Sequence, residues 1–343
     1  MSVTIYDIAE QARVSIATVS RVFNDHPRVS EPTRQRVFAV ADQLGYEPHA
    51  SAQSLARQNT RVVSAVVPMM TSFFFMEVLR GMQDRLDASD YDLLVHAART
   101  LGRVDGQLAR ALQRGRADGV LLVSTPVSDR RARRLAASRR PVVLVDSVHP
   151  DLDSVSVDNV RGGAEAARHL LARGHERIGL VLPLAESVPA QDRRAGVEQA
   201  LAEVGRVLDP RLVAVADWDH EQHGYTRYAG YRGMQQLLEL PEAERPTAVF
   251  AAADVMALGA LRAAREAGLS VPGDLDIIGF DDIASSAYVG LTTLRQPMVE
   301  MGTMATELLL RRMREPDTPP SHTVFAPRLV VRETTGGVAL ETV

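Results

Sequence analysis

From Arg61 onward, short apolar runs alternate with amphipathic stretches, and this alternation constrains the fold of the 343-residue chain more than any other feature. The runs are VVSAVVP, YDLLVHA, GVLLVS, PVVLVDS, RIGLVLP, LVAVADW, TAVFAAAD and LDIIGF. Each is long enough for one strand, and stretches of roughly 12 to 18 residues with helical periodicity separate them. Continuous apolar strands alternating with helices indicate parallel sheets covered on both faces. The length of the region suits two doubly wound subdomains, and a closed eight-stranded barrel is the competing arrangement.

The first 45 residues follow a different pattern, that of three short helices. Thr4 opens a capping-box-like start, after which Ile5, Ile8, Ala9 and Ala12 recur at helical spacing. A break at Arg13-Val14 precedes a second helix that Ser15 can cap, with Val19, Val22 and Phe23 facing a core. A third helix starts at Ser30 with Pro32 in its first turn and stops at Gly45. The following stretch YEPHASAQSLARQNT is polar apart from Leu55 and reads as a linker that folds on contact.

Composition narrows the function. With no cysteine, a disulfide scaffold, a thiolate metal site and a cysteine nucleophile are all excluded. The N-terminus carries acids where a signal peptide has an apolar run, and no segment approaches the roughly 18 apolar residues of a membrane span. A cytoplasmic protein without a membrane partner is therefore expected. The net charge of −4 argues at first against nucleic acid, although all 39 basic residues are arginine. The imbalance lies in the long region: in residues 1–61, seven arginines face six acids.

Helix, short turn, helix is the arrangement that sets a second helix into the major groove of DNA. The positions that remain exposed are Ser15, Ile16, Ala17, Ser20, Arg21 and Asn24. Arg21 can bond guanine bidentately, Ser15 and Ser20 can reach phosphates, and Ile16 and Ala17 offer apolar contact to a thymine methyl. A plain helical bundle with ordinary surface residues is the alternative.

The motifs TIYDIAEQARVSIATVSRVFN, VSEPTRQRV and LGYEPHASAQSLA closely resemble the DNA-binding region of the lactose-repressor (LacI/GalR) family of bacterial transcription regulators. GHERIGLV, FAAADVMALGALRAAREAGLSVPGDLDIIGFDD and LTTLRQP extend the resemblance over the rest of the chain. It implies an all-α helix-turn-helix domain at 1–46, a hinge helix and linker at 47–60, and an α/β periplasmic-binding-protein-like effector and dimerisation domain at 61–343. Within the last, one subdomain is expected at about 61–160 and 291–322, the other at about 161–290 and 323–343. Thr4, Ile5 and Tyr6 then match positions near the DNA backbone or groove, and Arg28 and Thr33 match later backbone contacts. His49, Ala52, Gln53 and Leu55 match the hinge helix, whose leucine wedges into the minor groove and kinks the duplex. Arg13 departs from the family, which often has glycine in that turn; if the backbone there needs positive φ, arginine is strained.

In open α/β sheets ligands bind beyond the carboxyl ends of the strands. There stand Phe73, Phe74 and Phe75, Asp146, Trp218, Asp281 and Gln296, with Arg193 expected at the start of the helix after RIGLVLP. Carboxylates, an arginine fork and aromatic faces suit a sugar, and these positions resemble the family's effector contacts. Ala253 is a second departure, standing where sugar-binding members often carry a polar side chain. WDHEQHGY lacks the spacing of a metal helix, so no metal or cofactor is expected beyond a small sugar-like effector. The expected function is thus a homodimeric repressor of carbohydrate genes on a pseudo-palindromic operator, released by its effector. A co-repressor-dependent regulator, a solute-binding protein and an enzyme on the same scaffold are the alternatives. The last two lack an export signal and a paired nucleophile respectively.

Overall fold

The structure, a computed structural model, describes residues 3–23, 26–46, 59–70, 72–98, 101–138, 140–216 and 224–337. The chain divides into two compact units, one of residues 1–62 with 113–118 and one of residues 63–112 with 119–343.

The first unit carries α1 (Ile5–Gln11), α2 (Ile16–Phe23) and α3 (Glu31–Leu44). Asp7 accepts from both the amide and the hydroxyl of Thr4 at 2.7 Å, which starts α1 and holds the Asp7 carboxyl below its ordinary range. The Ser15 hydroxyl accepts from the Thr18 amide at 3.1 Å and so opens α2. Ser30 precedes α3, and Gly45 ends it at φ 62°. Ile8, Val19, Val22 and Val37 are fully buried between the helices, with Phe23 edge-on to Phe38 at 5.7 Å. Arg13, in the turn between α1 and α2, adopts φ 53°. The left-handed region that its sequence position raised as a question is occupied, at a cost of roughly 1–2 kcal/mol for a side chain with a Cβ.

The second unit holds two open six-stranded sheets, which removes the closed barrel. The first sheet contains β1 (Val62–Val67), β2 (Asp92–Ala97), β3 (Gly119–Val123), β4 (Val142–Val145), β5 (Asp153–Val157) and β11 (His322–Phe325), in the order β11-β5-β4-β3-β1-β2. The second contains β6 (Ile178–Leu182), β7 (Val213–Val215), β8 (Ala248–Ala251), β9 (Asp276–Asp281), β10 (Thr292–Arg295) and β12 (Arg328–Val330), in the order β12-β10-β9-β8-β6-β7. The described pairings are parallel except that of β10 with β12. Every residue of β3, β4, β8 and β9 is buried, as strands covered on both faces must be.

Helices α4 (Phe73–Leu86) and α12 (Met298–Arg314) pack with the first sheet through Val78, Met82, Met301 and Leu309, while α5 (Leu101–Ala111) and α6 (Asp129–Ala137) contribute Val104, Leu108 and Leu135 to a separate core. In the second sheet, successive residues of β9 point opposite ways. Phe280 lies under Gly162 of α7 (Asn159–Ala172), and Gly279 lies under Asp254 and Ala257 of α10 (Asp254–Glu266). Helix α8 (Val188–Glu203) pairs with α7 and α9 (Arg227–Leu238) with α10.

Three helix pairs meet at glycines on both partners. A Cβ on Gly81 or Gly302 would meet a carbonyl oxygen of the facing helix at 1.9 or 2.0 Å; the same holds at 1.9 Å for Gly163 with Gly196 and for Gly230 with Gly259. Backbones this close leave no room for any side chain.

The sheets correct the expected subdomain limits. Thr292–Arg295 does not begin the return to the first subdomain; it pairs with β9 in the second sheet, its threonines bonded to Asp254 and Thr335. Conversely, residues 323–325 belong with β5 in the first. The chain therefore crosses between the sheets at residue 158, at 296–297 and at 326–327.

Adding a methyl at Gly196 forces α7 and α8 apart, whereas Gly106 of α5 faces open space. In urea unfolding, Gly196→Ala should lower stability by about 1–3 kcal/mol and Gly106→Ala should raise it by roughly 0.5–1 kcal/mol. Equal midpoints for the two variants would contradict the close-packed crossing.

Candidate functional site

Helix α2 buries Val19 and Val22 and leaves Ile16, Ala17 and Arg21 exposed, with Ser20 half-buried beside them. Ser15 is exposed at the head of the helix, its hydroxyl 2.9 Å from that of Thr18. Thr4 and Tyr6 are exposed at the start of α1, with Ile5 turned half inward. Arg28 is exposed; Thr33 is half-buried in the first turn of α3, its hydroxyl 2.9 Å from that of Ser30. Asn24, His49, Ala52, Gln53 and Leu55 lie outside the described residues.

In the second unit one cavity of about 280 Å³ collects Phe73, Phe74, Phe75, Asp146, Arg193, Asp281 and Gln296. It opens at the carboxyl ends of both sheets, beside β1 and β3 in one and β6 and β8 in the other, where the strand order reverses. The three phenylalanines form the first turn of α4; Phe75 is buried in the core and meets Phe74 edge-on at 5.3 Å. Arg193 does not start its helix as expected. Ser187 caps α8 and Arg193 stands in its second turn, deep enough to be only 4% exposed. Trp218, with His220, Glu221 and His223, lies outside the described residues.

Each polar group in the cavity is held from behind. Arg193 donates through Nε to Asn159 Oδ1 at 2.8 Å and through Nη1 to the Ala252 carbonyl, and its guanidinium stacks 3.6 Å over the Phe280 ring. Ser124 donates to Asp146 at 2.7 Å, and Gln296 Nε2 donates to Asp281 Oδ1 at 2.6 Å. Among the described residues, Arg193 Nη2 and the second oxygen of Asp146 carry no further hydrogen bond, and the buried Oε1 of Gln296 has no partner. The site thus presents donors and acceptors side by side, which is what hydroxyl groups require.

Burial dominates the electrostatics. It pushes the Asp146 carboxyl up to about 6, against the pull of Ser124 and Arg193. Asp281 is pushed up to about 8, again by burial first, although Arg193 works to lower it. Asp254 is raised by the same cause while it accepts from Ser286, Thr293 and the Ile283 amide. The backbone is strained in the same place. Of the six described non-glycine residues at positive φ, four are Ser124, Asp146, Asp281 and Asp282, all at strand ends around the cavity.

Ser124, Asn159, Tyr225 and Asp254 complete the arrangement without having been singled out from the sequence. Ser124 and Asp254 follow apolar runs as Asp146 does, so the strand-end rule could have found them. Asn159 and Tyr225 carry no such signal. Among the described residues no cluster of His, Cys, Asp or Glu can hold a metal.

Residues 4–49 match the family model described as bacterial regulatory proteins, lacI family, and residues 167–335 match a periplasmic binding protein-like domain. Catabolite control protein A of Priestia megaterium is 33% identical over 98% of this chain and 100% of its own length. The structure of the lac repressor dimer bound to operator and the anti-inducer ONPF superposes with a TM-score of 0.83 at 28% identity, covering 98% of this chain and 99% of that one. A complex of the transcriptional regulator CelR with cellobiose gives a TM-score of 0.71 at 30% identity, over 97% and 99%.

The raised carboxyl at Asp281 sets a pH dependence. A group that holds its proton more tightly folded than unfolded contributes fully below the unfolded value of 3.8 and loses that contribution as pH rises through about 8. Between pH 5.5 and 8.5 the Asp281→Asn variant should therefore lose less thermal stability than the parent chain. Parallel melting temperatures across that range would show that Asp281 is ionised throughout.

Proposed function

The chain belongs to the lacI family of bacterial regulatory proteins and is a DNA-binding transcription regulator, and from that premise we propose that it is a homodimeric repressor, released from a pseudo-palindromic operator when a small sugar-like molecule fills its cavity. In this reading residues 1–46 read DNA, 47–60 form the hinge, and the remainder binds effector and partner. Arg21 supplies bidentate base contact, Ile16 and Ala17 apolar contact, and Thr4, Tyr6, Ser15, Ser20, Arg28 and Thr33 touch the backbone or groove. Leu55, from the hinge, enters the minor groove.

The observation that carries the effector reading is where the cavity's polar groups are rooted. Asn159, partner of Arg193, follows the first crossover at residue 158, and Gln296, partner of Asp281, sits in the second. A ligand that bonds Arg193 and Asp281 from one side and Asp146 from the other favours one angle between the sheets. Its differential affinity for that angle is what shifts the dimer between operator-competent and incompetent states. The mixed donors and acceptors, the phenylalanine faces and the likeness to a cellobiose-bound regulator support a sugar or sugar derivative.

An operator selected from randomised palindromic duplexes provides the test. Arg21→Ala should lose roughly 1–3 kcal/mol of discrimination at one base step in fluorescence anisotropy. Arg193→Ala should bind the same duplex as the parent chain does, yet stay bound when a sugar that releases the parent is added. Release of both proteins by the same sugar concentration would remove Arg193 from the effector site.

A further inference from the structure

The cavity changes character from its floor to its mouth. Arg193, Asp281 and Gln296 on the floor are at most 8% exposed. At the mouth, Val148 from the loop after β4 is 56% exposed and Val188 at the start of α8 is 48% exposed, with Pro126 and Val127 beside them. The two valines come from opposite subdomains. Single exposed valines are ordinary, but these converge on one cavity, and they offer a ligand no hydrogen bond. Ser147 and Ser187 flank the valines, but the Ser147 hydroxyl already donates to the Thr125 carbonyl and that of Ser187 is taken up by Tyr225 and the Ala190 amide, so the outward end of a ligand meets mainly apolar surface and Glu186.

Charge narrows the ligand further. Arg193 is the only cation among the described residues that line the cavity, and it is committed to the floor by Asn159 and the Ala252 carbonyl. Glu186, exposed at the mouth, adds a negative charge there. A phosphate or carboxylate on the outward end of a ligand would meet a carboxylate that no cation offsets among the described lining residues. Ala253, which lines the cavity without a polar atom in its side chain, adds to the apolar share.

We propose that the effector is a small hydroxylated ring bearing an uncharged apolar substituent, alkyl or aryl, with the ring on the polar floor and the substituent covering Val148 and Val188. This rests on the sugar-like reading above and specifies it: a glycoside with an apolar aglycone in place of a free sugar, a sugar phosphate or a longer polar saccharide. A cavity of about 280 Å³ stands at the small end of ligand sites, roughly 300–1,000 Å³, and suits one ring with a modest substituent.

Calorimetric titration of the full chain with free hexoses and pentoses, their phenyl glycosides and their phosphates tests this. For at least one sugar configuration the phenyl glycoside should bind about ten times more tightly than the free sugar, the factor expected from removing about 60 Å² of apolar surface from water. The corresponding phosphate should bind more weakly than the free sugar. In the double variant Val148→Ser with Val188→Ser, the advantage of the phenyl glycoside over the free sugar should shrink to below about twofold. Equal affinity for free sugar and phenyl glycoside, an advantage that survives the double substitution, or tightest binding by a phosphate would each overturn the proposal and leave the sugar reading standing. Binding of no member of the series would overturn the sugar reading, and the proposal with it.

Discussion

A guanidinium taken out of water must have its charge and its donors answered inside the protein, and the second subdomain is organised around doing so for Arg193. Two of its nitrogens are bonded to Asn159 and the Ala252 carbonyl, its face lies on Phe280, and its charge is felt by Asp146 and Asp281. None of this geometry is available unless α8 lies against α7 at backbone distance. Gly163 meets the Arg193 carbonyl itself, and Gly196 meets Val160. The glycine pair therefore sets the position of the backbone from which Arg193 reaches Asn159. The polar groups of the cavity depend on a helix crossing made at bare glycines.

The carboxylates complete this arrangement in an unequal way. Arg193 lowers both Asp146 and Asp281, yet burial outweighs it in each case. One cation cannot neutralise two buried acids at distances set by separate sheets, so the site keeps protons where water would remove them. The burial that raises Asp281 favours its neutral form, which can donate as well as accept. The positive φ at Ser124, Asp146, Asp281 and Asp282 shows that the backbone is bent to aim these groups. Its strain is sustained by strands whose every other residue is buried.

Much of this was legible from residues alone, and the gaps have physical causes. The apolar runs marked eight strands, most plainly β3, β4, β6, β8 and β9, which are buried on both faces. β5 escaped notice because Asp153, Ser154 and Ser156 interrupt its valines. Arg312 and the Ser321 amide bond Asp153, and His322 bonds Ser154, so polar residues occupy a core strand at little cost. β11 and β12 are short edge strands with little periodicity to read. The crossover at 296–297 was placed too early because LTTLR reads as a strand but nothing local says which sheet it joins. In the cavity, the strand-end rule located Asp146 and Asp281; Asn159 stands just past the end of β5 and was hidden with that strand, whereas Tyr225 reaches the cavity only through tertiary packing. Glycines inside helices cost stability in isolation, and a Gly-Gly pair such as 162–163 within an otherwise helical run was the one available signal of a close crossing.

Under the proposed function, the same packing would pass a ligand's effect to the whole unit instead of absorbing it locally. Close-packed interiors move between discrete arrangements and deform little within one. Both principal ligand-facing groups of the second subdomain are tied to residues at the chain's passages between sheets, Arg193 to Asn159 and Asp281 to Gln296. Its neighbour Asp282 is bonded at 2.7 Å to Arg332, shortly beyond the third passage. A ligand that shifts either group must therefore strain a crossover or rotate one sheet against the other. Rotation about three short connections is the softer response, because it leaves the glycine-paired helices and the buried strands of each sheet intact. The Oε1 of Gln296 is a buried acceptor at a crossover, left without a hydrogen-bond partner among the described residues. A ligand hydroxyl donated there would gain the difference between an unmet and a met buried acceptor, and the proposed function needs that gain to differ between the two angles of the sheets.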